Sequence, residues 1–248
     1  MDKAIILPIL NFLHNNCNAE IISILMIASS GAMILLLLRF FGLSGLYIYN
    51  VVAIIASNIQ VLRTSYFAIL PEKVALGTIV FASSFLASNL ISTYYGKEKA
   101  TRSVMLSFGG QISFTILMLL SLGYQSSPDN ITIEHAMHVI FIPSFRFLIA
   151  SVIAFLLSQY LNIYIFAIAG NIKFVWVRNS IASLIAGFVD TFLFSYLAWI
   201  LLNEAPISMH SLFSTYIFGA YLGQIFVYIA SIPIVYFATK IKIPSNNP

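Results

Sequence analysis

The sequence predicts an all-α polytopic membrane protein with about seven transmembrane helices, and composition and charge spacing support this. Of the 248 residues, 60% are hydrophobic and only 8% are charged, whereas a soluble domain carries about 25% charged residues. Runs without charge approach or exceed the roughly 18–20 residues that cross a bilayer as a helix. Helices are expected because lipid satisfies no backbone polar groups. The predicted spans are 21–39, 44–62, 75–95, 103–123, 146–169, 179–202 and 212–239.

Both ends of the chain are predicted to flank a single transmembrane domain over residues 20–242. Residues 1–19 carry Lys3, Pro8 and a stretch rich in Asn, which favours a short interfacial helix over a signal peptide. Residues 243–248 form a short cytoplasmic tail. Because the chain has one cysteine, an internal disulfide framework is excluded.

The distribution of Lys and Arg predicts the orientation in the membrane. With seven spans, three positive residues fall on one side: Lys3, Arg63 and Lys73. Eight fall on the other side: Arg39, Lys97, Lys99, Arg102, Lys173, Arg178, Lys240 and Lys242. The richer side is expected to be cytoplasmic, so the amino terminus lies outside and the carboxyl terminus inside. The positive residues are scattered singly, which gives no indication of nucleic-acid binding.

Asp190 is the first candidate for function because it lies near the middle of the sixth predicted span. An ionisable group at this depth is costly and usually faces a bundle interior or a wet cavity. Two interpretations remain open. Asp190 binds a ligand or a proton beside a polar cavity, or it pairs with Arg146 in a dry contact that locks two helices. We favour the first.

Other polar side chains share helical faces with spacing that could bring them to one place. Hydroxyls and amides in lipid also join helices to one another, so a shared polar cavity and separate helix contacts are both open. The polar faces combine Ser84, Ser88, Asn89 and Ser92; Ser151, Ser158, Gln159 and Asn162; and Asn179, Ser183 and Asp190, with Asn58 and Gln224 elsewhere.

An enzyme is not predicted. The sequence GLSG at 42–45 matches a Gly-x-Ser-Gly pattern of intramembrane serine proteases, but the four histidines map to the opposite membrane side from Ser44, so no base would reach that serine. His135 and His138 could ligate a metal, yet zinc would need a third ligand, and none is evident. We predict no metal and no cofactor.

Three long motifs, in order, resemble the queuosine precursor transporter family, also called vitamin-uptake-type transporters. They are SSFLASNLISTYYGKEKATRSV (83–104), FRFLIASVIAFLLSQYLNIYIF (145–166) and WVRNSIASLIAGFVDTFLF (176–194), and SNIQVLR (57–63) matches an earlier pattern. The resemblance implies a carrier of the bacterial inner membrane that imports deazaguanine precursors of queuosine. It also implies a helical core similar to the substrate-binding subunits of energy-coupling-factor vitamin transporters.

The chain departs from the family pattern at several intramembrane positions. The resemblance leads us to expect Asp where this chain has Asn89 and Asn162, Glu where it has Thr93, Gln where it has Gly187 and Lys where it has Gln224. It also leads us to expect an Asp-Thr-Pro pattern where this chain has Ser231-Ile232-Pro233. The family residues that are kept are Tyr95, Gly96, Arg146, Ser158, Gln159, Arg178, Asn179, Asp190 and Thr191. The scaffold residues of the family are therefore retained, whereas several intramembrane positions that are expected to carry charged residues carry neutral ones here.

From the residues and the resemblance we predict binding of a nucleobase-like substrate. A carboxylate can accept two adjacent N–H donors of a guanidine-like edge, and amides suit the remaining base atoms. The predicted substrate-binding residues are Asp190, Asn162, Gln159, Asn89, Ser158, Asn179, Arg178, Arg146 and Asn58. The alternatives are a vitamin-binding subunit that borrows a separate ATPase module, and a non-transport membrane assembly protein. A homo-oligomer or a separate energising module also remains open.

Overall fold

The computed structural model is all-helical apart from its loops and one short strand pair. It describes residues 2–68, 74–125, 127, 130–141, 145–203, 206–230, 232–238 and 240, with the side chains of residues 2–5, 74–75, 145–148, 214–215 and 219 excepted. The helices are α1 (Asp2–Asn16), α2 (Ala19–Gln60), α3 (Gly77–Tyr95), α4 (Lys97–Ser121), α5 (Ile131–Phe141), α6 (Phe145–Ile168), α7 (Val175–Tyr196), α8 (Met209–Ser211), α9 (Gly219–Ala230) and α10 (Ile232–Ala238). Within this part of the chain, β1 (Thr64–Ser65) and β2 (Val74–Ala75) pair antiparallel.

In the described part of the chain, five helical segments are long and apolar enough to cross a membrane, which confirms the all-α polytopic class. They are Ala19–Gln60, Lys97–Ser121, Ile149–Asn171, Val175–Leu201 and Met209–Ala238. At 42 residues, α2 would extend about 63 Å if it were straight, twice the thickness of a bilayer core. The 19 residues of α3 are also enough to cross, although this helix is more polar. The number of seven spans stays a prediction.

A sharp corner at Gly42 divides α2 into two stretches, at the place where the sequence predicts a break between the first and second spans. Gly42 has φ 56° and ψ −129°, a conformation open to glycine and costly for other residues. The chain turns so tightly that a Cβ added at Gly45 would collide with the backbone carbonyl of Leu37. These two glycines of the GLSG motif therefore have a structural explanation, and the exposed Ser44 lies between them.

The helix α3 lies at the centre of the bundle and positions the candidate site. It packs against α2, α4, α6, α7 and α9, and twelve of its residues are buried. Its first residue, Gly77, approaches α2 so closely that a Cβ there would meet the carbonyl of Ser57. Gly96, with φ 86°, forms the one-residue link to α4. A central helix that carries Ser and Asn side chains can therefore exchange hydrogen bonds with several neighbours.

The second half of the chain forms the α6–α7 pair and a broken last span. The helices α6 and α7 run antiparallel and are joined by a 3₁₀ turn at Ala169–Asn171. After α7 a wide helical turn continues to Leu201. The short helix α8 lies just before the last predicted span, which is divided into a wide helical turn (Leu212–Phe218), α9 and α10.

Besides α8, two helices of the described chain, α1 and α5, lie outside the predicted spans. The helix α1 forms within residues 1–19 and contains Pro8; its place at the membrane interface stays a prediction. Sequence reasoning missed α5. Its 11 residues are too few to cross a bilayer, and none of them is buried.

Candidate functional site

Amide side chains of α3, α6 and α7 meet in the bundle interior. Asn162 Nδ2 donates to Asn89 Oδ1 at 2.9 Å, and Asn89 Nδ2 returns a longer contact of 3.4 Å to Asn162 Oδ1. The same nitrogen of Asn89 donates to Asn179 Oδ1 at 2.8 Å and reaches Ser183 Oγ at 3.4 Å. All four residues are at most 1% exposed. Buried amides need such partners because an unmet polar group in an apolar interior is costly.

The carboxylate of Asp190 lies on the same helix as Asn179 and Ser183, nearer the far end of α7. Its side chain is 8% exposed, and Ser158 Oγ of α6 donates to Asp190 Oδ1 at 2.9 Å. The same hydroxyl also contacts the Phe155 carbonyl oxygen at 3.2 Å. Since Ser158 precedes Asn162 by one helical turn, the α6–α7 pair aligns the carboxylate and the amide cluster along one buried seam.

Two buried glutamines on helices that pack against α7 have side-chain oxygens that accept no hydrogen bond from a described residue. Gln159 Nε2 donates to Ser84 Oγ at 2.8 Å, but Gln159 Oε1 and Gln224 Oε1 are buried without a donor in the described part of the chain. A Cβ added at Gly187, one turn before Asp190, would lie 2.8 Å from Gln224 Oε1 and would collide with the Tyr228 hydroxyl. Glycine at this position lets α9 side chains approach the space where the resemblance leads us to expect Gln.

These contacts divide the buried seam into two chemical environments. The amide cluster at Asn89 is neutral, and its members satisfy one another. The other environment contains two kinds of acceptor, the Asp190 carboxylate and the Gln224 oxygen, which lies beside Gly187 one turn before Asp190. Such an edge suits a ligand with several N–H donors. Among the described residues, no group of three or more His, Cys, Asp or Glu could hold a metal ion.

The structure brings the polar faces together by direct contact between helices. Asp190, Ser158, Gln159 and the amide cluster are all buried, and the polar cavity expected at Asp190 stays a prediction. The surroundings of the carboxylate are nevertheless polar, with Ser158 bonded to it. A ligand of base size would therefore enter only after the helices move apart.

Two predicted site residues, Arg178 and Asn58, stand apart from this cluster. Arg178 Nη2 donates to the Phe166 carbonyl oxygen at 3.0 Å, and the guanidinium lies 4.2 Å from the centroid of the Phe166 ring, which joins α7 to the end of α6. Asn58 Oδ1 accepts from Ser151 Oγ at 2.8 Å. The side chain of Arg146 lies outside the described residues, so its pairing with Asp190 stays open.

Sequence reasoning did not include three buried residues that take part in the polar interior. Asn50 Nδ2 donates to Ser103 Oγ at 2.9 Å and reaches Ser88 Oγ at 3.2 Å. Gln111 of α4 is 5% exposed. Tyr228 of α9 lies against Gly187. In the sequence, each of these residues is a single polar side chain inside an apolar run. Such a pattern indicates that the side chain is buried, but it does not identify its partner.

The bundle of apolar helices around a buried polar seam is typical of a multi-pass membrane protein, and the comparisons with known proteins support a transporter that acts on a small molecule. The family model described as "Putative vitamin uptake transporter" matches residues 75–238. This match covers more than half of the chain, so the protein belongs to that family. The matched region contains the whole α3–α6–α7 core.

A relative with a more specific name resembles nearly the whole chain. The chain is 27% identical over 218 residues to a protein of Bacillus subtilis (strain 168) named "Probable queuosine precursor transporter". The alignment covers 86% of this chain and 91% of that relative. No solved structure matches the chain.

Proposed function

We propose that this transporter imports a queuosine precursor, a deazaguanine-type nucleobase, across the bacterial cytoplasmic membrane. The observation that carries the proposal is the buried carboxylate of Asp190, with the donor-free oxygens of Gln159 and Gln224 on neighbouring helices. The name of the relative from Bacillus subtilis supports the same substrate.

The chemistry of a deazaguanine suits an acceptor-rich edge. The ring is flat and carries adjacent N–H donors on its guanidine-like edge, and a carboxylate can accept two of these at once. In the proposed complex Asp190 takes that edge while Gln159 and Gln224 accept further donors. Phe85 and Tyr228, whose ring centroids are 6.2 Å apart, supply aromatic surface for stacking, and Tyr228 lies against Gly187, one turn before Asp190.

In this proposal the remaining predicted residues either orient the carboxylate, contact the substrate or hold the helices together. Ser158 orients the carboxylate through its 2.9 Å hydrogen bond. Asn89, Asn162 and Asn179 read the other ring atoms once their mutual hydrogen bonds open. Because Arg178 contacts the end of α6, we propose that it acts by holding the α6–α7 pair.

Uptake of a labelled deazaguanine tests the proposal in cells that cannot make queuosine, with and without this protein. Wild-type protein should support uptake. Asp190→Asn keeps the size of the side chain and removes the charge. We expect it to lower uptake at limiting substrate about 10–100-fold, as expected for the loss of hydrogen bonds worth about 1.5–3 kcal/mol.

A matched control on the same helix is Ser180→Ala, because the Ser180 hydroxyl donates only to the Trp176 carbonyl of its own helix at 2.9 Å. Its uptake and its amount in the membrane should equal those of the wild type. Unchanged uptake by Asp190→Asn would remove Asp190 from the binding role. Failure of the wild-type protein to support any uptake would defeat the substrate assignment.

The family description supports a second candidate, a vitamin as substrate. Competition of deazaguanine uptake by a panel of unlabelled vitamins separates the two, because a true vitamin carrier would be inhibited at lower concentration by its vitamin. Co-purification with an ATPase module would favour the subunit alternative. Purification as a symmetric oligomer would decide the assembly state.

We also propose that the amino terminus lies outside the cytoplasmic membrane and the carboxyl terminus in the cytoplasm. The bias of eight Lys and Arg residues against three supports this orientation. A carboxyl-terminal fluorescent protein that folds only in the cytoplasm should fluoresce. A phosphatase that is active only in the periplasm, fused to the same carboxyl terminus, should be inactive.

A further inference from the structure

A small cavity between α2, α4 and α6 lies apart from the Asp190 cluster. Its volume is about 10 Å³, the scale of one water molecule or one dehydrated ion. Three polar side chains line it, one from each helix: Asn58, Gln111 and Ser151. The other lining residues are apolar, and none carries a charge: Ile54, Phe81, Phe108, Val152 and Phe155.

The polar side chains of the cavity present oxygen atoms. Gln111 Nε2 is held by Thr115 Oγ1 at 3.3 Å, and Gln111 Oε1 is buried with no donor among the described residues. Ser151 Oγ donates to Asn58 Oδ1 at 2.8 Å, so these two oxygens are held side by side and keep free lone pairs. Three polar side chains from three helices therefore line one small space, and two of their oxygens are hydrogen-bonded to each other.

The end of α2 adds a favourable field for a positive ion. Asn58 lies in the last turn of α2, which ends at Gln60 and contains no basic residue in that turn. The carboxyl end of a helix carries a partial negative charge, and here the carbonyl groups of Ser57, Ile59 and Gln60 accept backbone hydrogen bonds from the residues that follow. The rings of Phe81, Phe108 and Phe155 on the cavity wall are weak additional partners for a cation.

We propose that this cavity binds a dehydrated monovalent cation, Na⁺, through the side-chain oxygens of Asn58, Gln111 and Ser151. A divalent ion is disfavoured because Ca²⁺ and Mg²⁺ sites in proteins rely on carboxylates, and this lining has none. Helix carboxyl ends and carbonyl oxygens coordinate Na⁺ in secondary transporters. A water molecule is the competing occupant, and the experiment distinguishes the two.

The cavity and the candidate substrate site both involve residues of α6. Ser151 and Ser158 are seven residues apart on that helix, about 10 Å at 1.5 Å per residue. Ser151 would contact the ion, and Ser158 contacts Asp190. A role as the coupling ion rests on the proposed function, whereas the binding of Na⁺ does not.

The test measures the melting temperature of the purified full-length protein in NaCl and in choline chloride at equal concentration, without substrate. An ion that binds only the folded state raises stability by mass action, so we expect saturating NaCl to raise the melting temperature by about 2–4 °C over choline chloride. Gln111→Met keeps the length of the side chain and removes the oxygen. Ser151→Ala removes the hydroxyl with little change in volume.

Both variants should lose most of the difference between NaCl and choline chloride. Ser121→Ala, on the same helix as Gln111, should keep it, because the Ser121 hydroxyl donates to the Met118 carbonyl of its own helix. Equal melting temperatures of the wild type in the two salts, the result expected for a bound water, would overturn the proposal. A Na⁺-dependent rise that survives in both variants would overturn the site. Stabilisation by Na⁺ together with absent deazaguanine uptake would defeat the proposed substrate and leave the ion site standing.

Discussion

Asn89 and Asn162 face each other across the α3–α6 contact and exchange hydrogen bonds of 2.9 and 3.4 Å. Each amide offers both a donor and an acceptor, so a face-to-face pair can satisfy both groups without any charge. The resemblance leads us to expect aspartates at both positions, and two carboxylates could not bond in this way unless they shared a proton. The neutral pair therefore removes two charges from the membrane interior and keeps the helices joined.

We predict that Asn162→Asp destabilises the protein. The substitution removes the Nδ2 donor from Asn89 Oδ1 and places a carboxyl group where the side chain is fully buried. Loss of one partner of a buried hydrogen bond costs about 1–3 kcal/mol. The melting temperature in detergent should fall by several degrees, with Ser180→Ala as the unaffected control. A variant as stable as the wild type would show that the amide pair contributes nothing to folding.

We predict that Gly187→Ala impairs both stability and uptake. The added Cβ would collide with the Tyr228 hydroxyl and lie 2.8 Å from Gln224 Oε1, and overpacking of this kind costs about 1–3 kcal/mol. It also displaces the Gln224 oxygen proposed to contact substrate. Gly109→Ala in α4 is the control, since a Cβ there meets no atom within 4 Å. Equal thermal stability of the two variants would contradict the close packing.

The class of fold and the burial of the polar faces could be predicted from the sequence, because both depend on composition along each helix. Charge-free runs predict most of the spans, and the interruption between the first two spans falls at Gly42. A run of apolar residues does not specify that one glycine forms the corner. The helix α5 was missed because its run is too short to distinguish an extramembrane helix from a loop.

The partners inside the site could not be predicted, for a physical reason. Helical spacing places Asn179, Ser183 and Asp190 on one face, but the rotation and depth of the neighbouring helices decide what they meet. Asn179 bonds Asn89 and Asp190 bonds Ser158, contacts that depend on the register between helices. The arrangement of Gln224 against Gly187 likewise depends on how α9 packs.

We predict that Gly42→Ala weakens the corner in α2. A residue with a Cβ at φ 56° and ψ −129° is strained by roughly 1–3 kcal/mol. The melting temperature should fall by several degrees. Gly170→Ala is the comparison, because a Cβ there meets nothing within 4 Å, and it should melt as the wild type does. Equal effects of the two substitutions would show that the bend tolerates any residue.

Arg178 provides a test that separates a structural role from a substrate role. Its guanidinium donates to the Phe166 carbonyl oxygen at 3.0 Å and stacks on the Phe166 ring, while Asp190 is twelve residues away on the same helix, about 18 Å. Arg178→Ala should lower the free energy of unfolding by about 1–3 kcal/mol, through a charged hydrogen bond and a cation–π contact.

Arg178→Lys retains a positive charge but not the planar group that both stacks and donates, so its melting temperature should lie between those of the wild type and Arg178→Ala. For the protein that remains folded in each variant, the substrate concentration at half-maximal uptake should equal that of the wild type, because the residue acts on the α6–α7 contact. A large rise in that concentration with an unchanged melting temperature would instead place Arg178 on the substrate path and contradict the structural role.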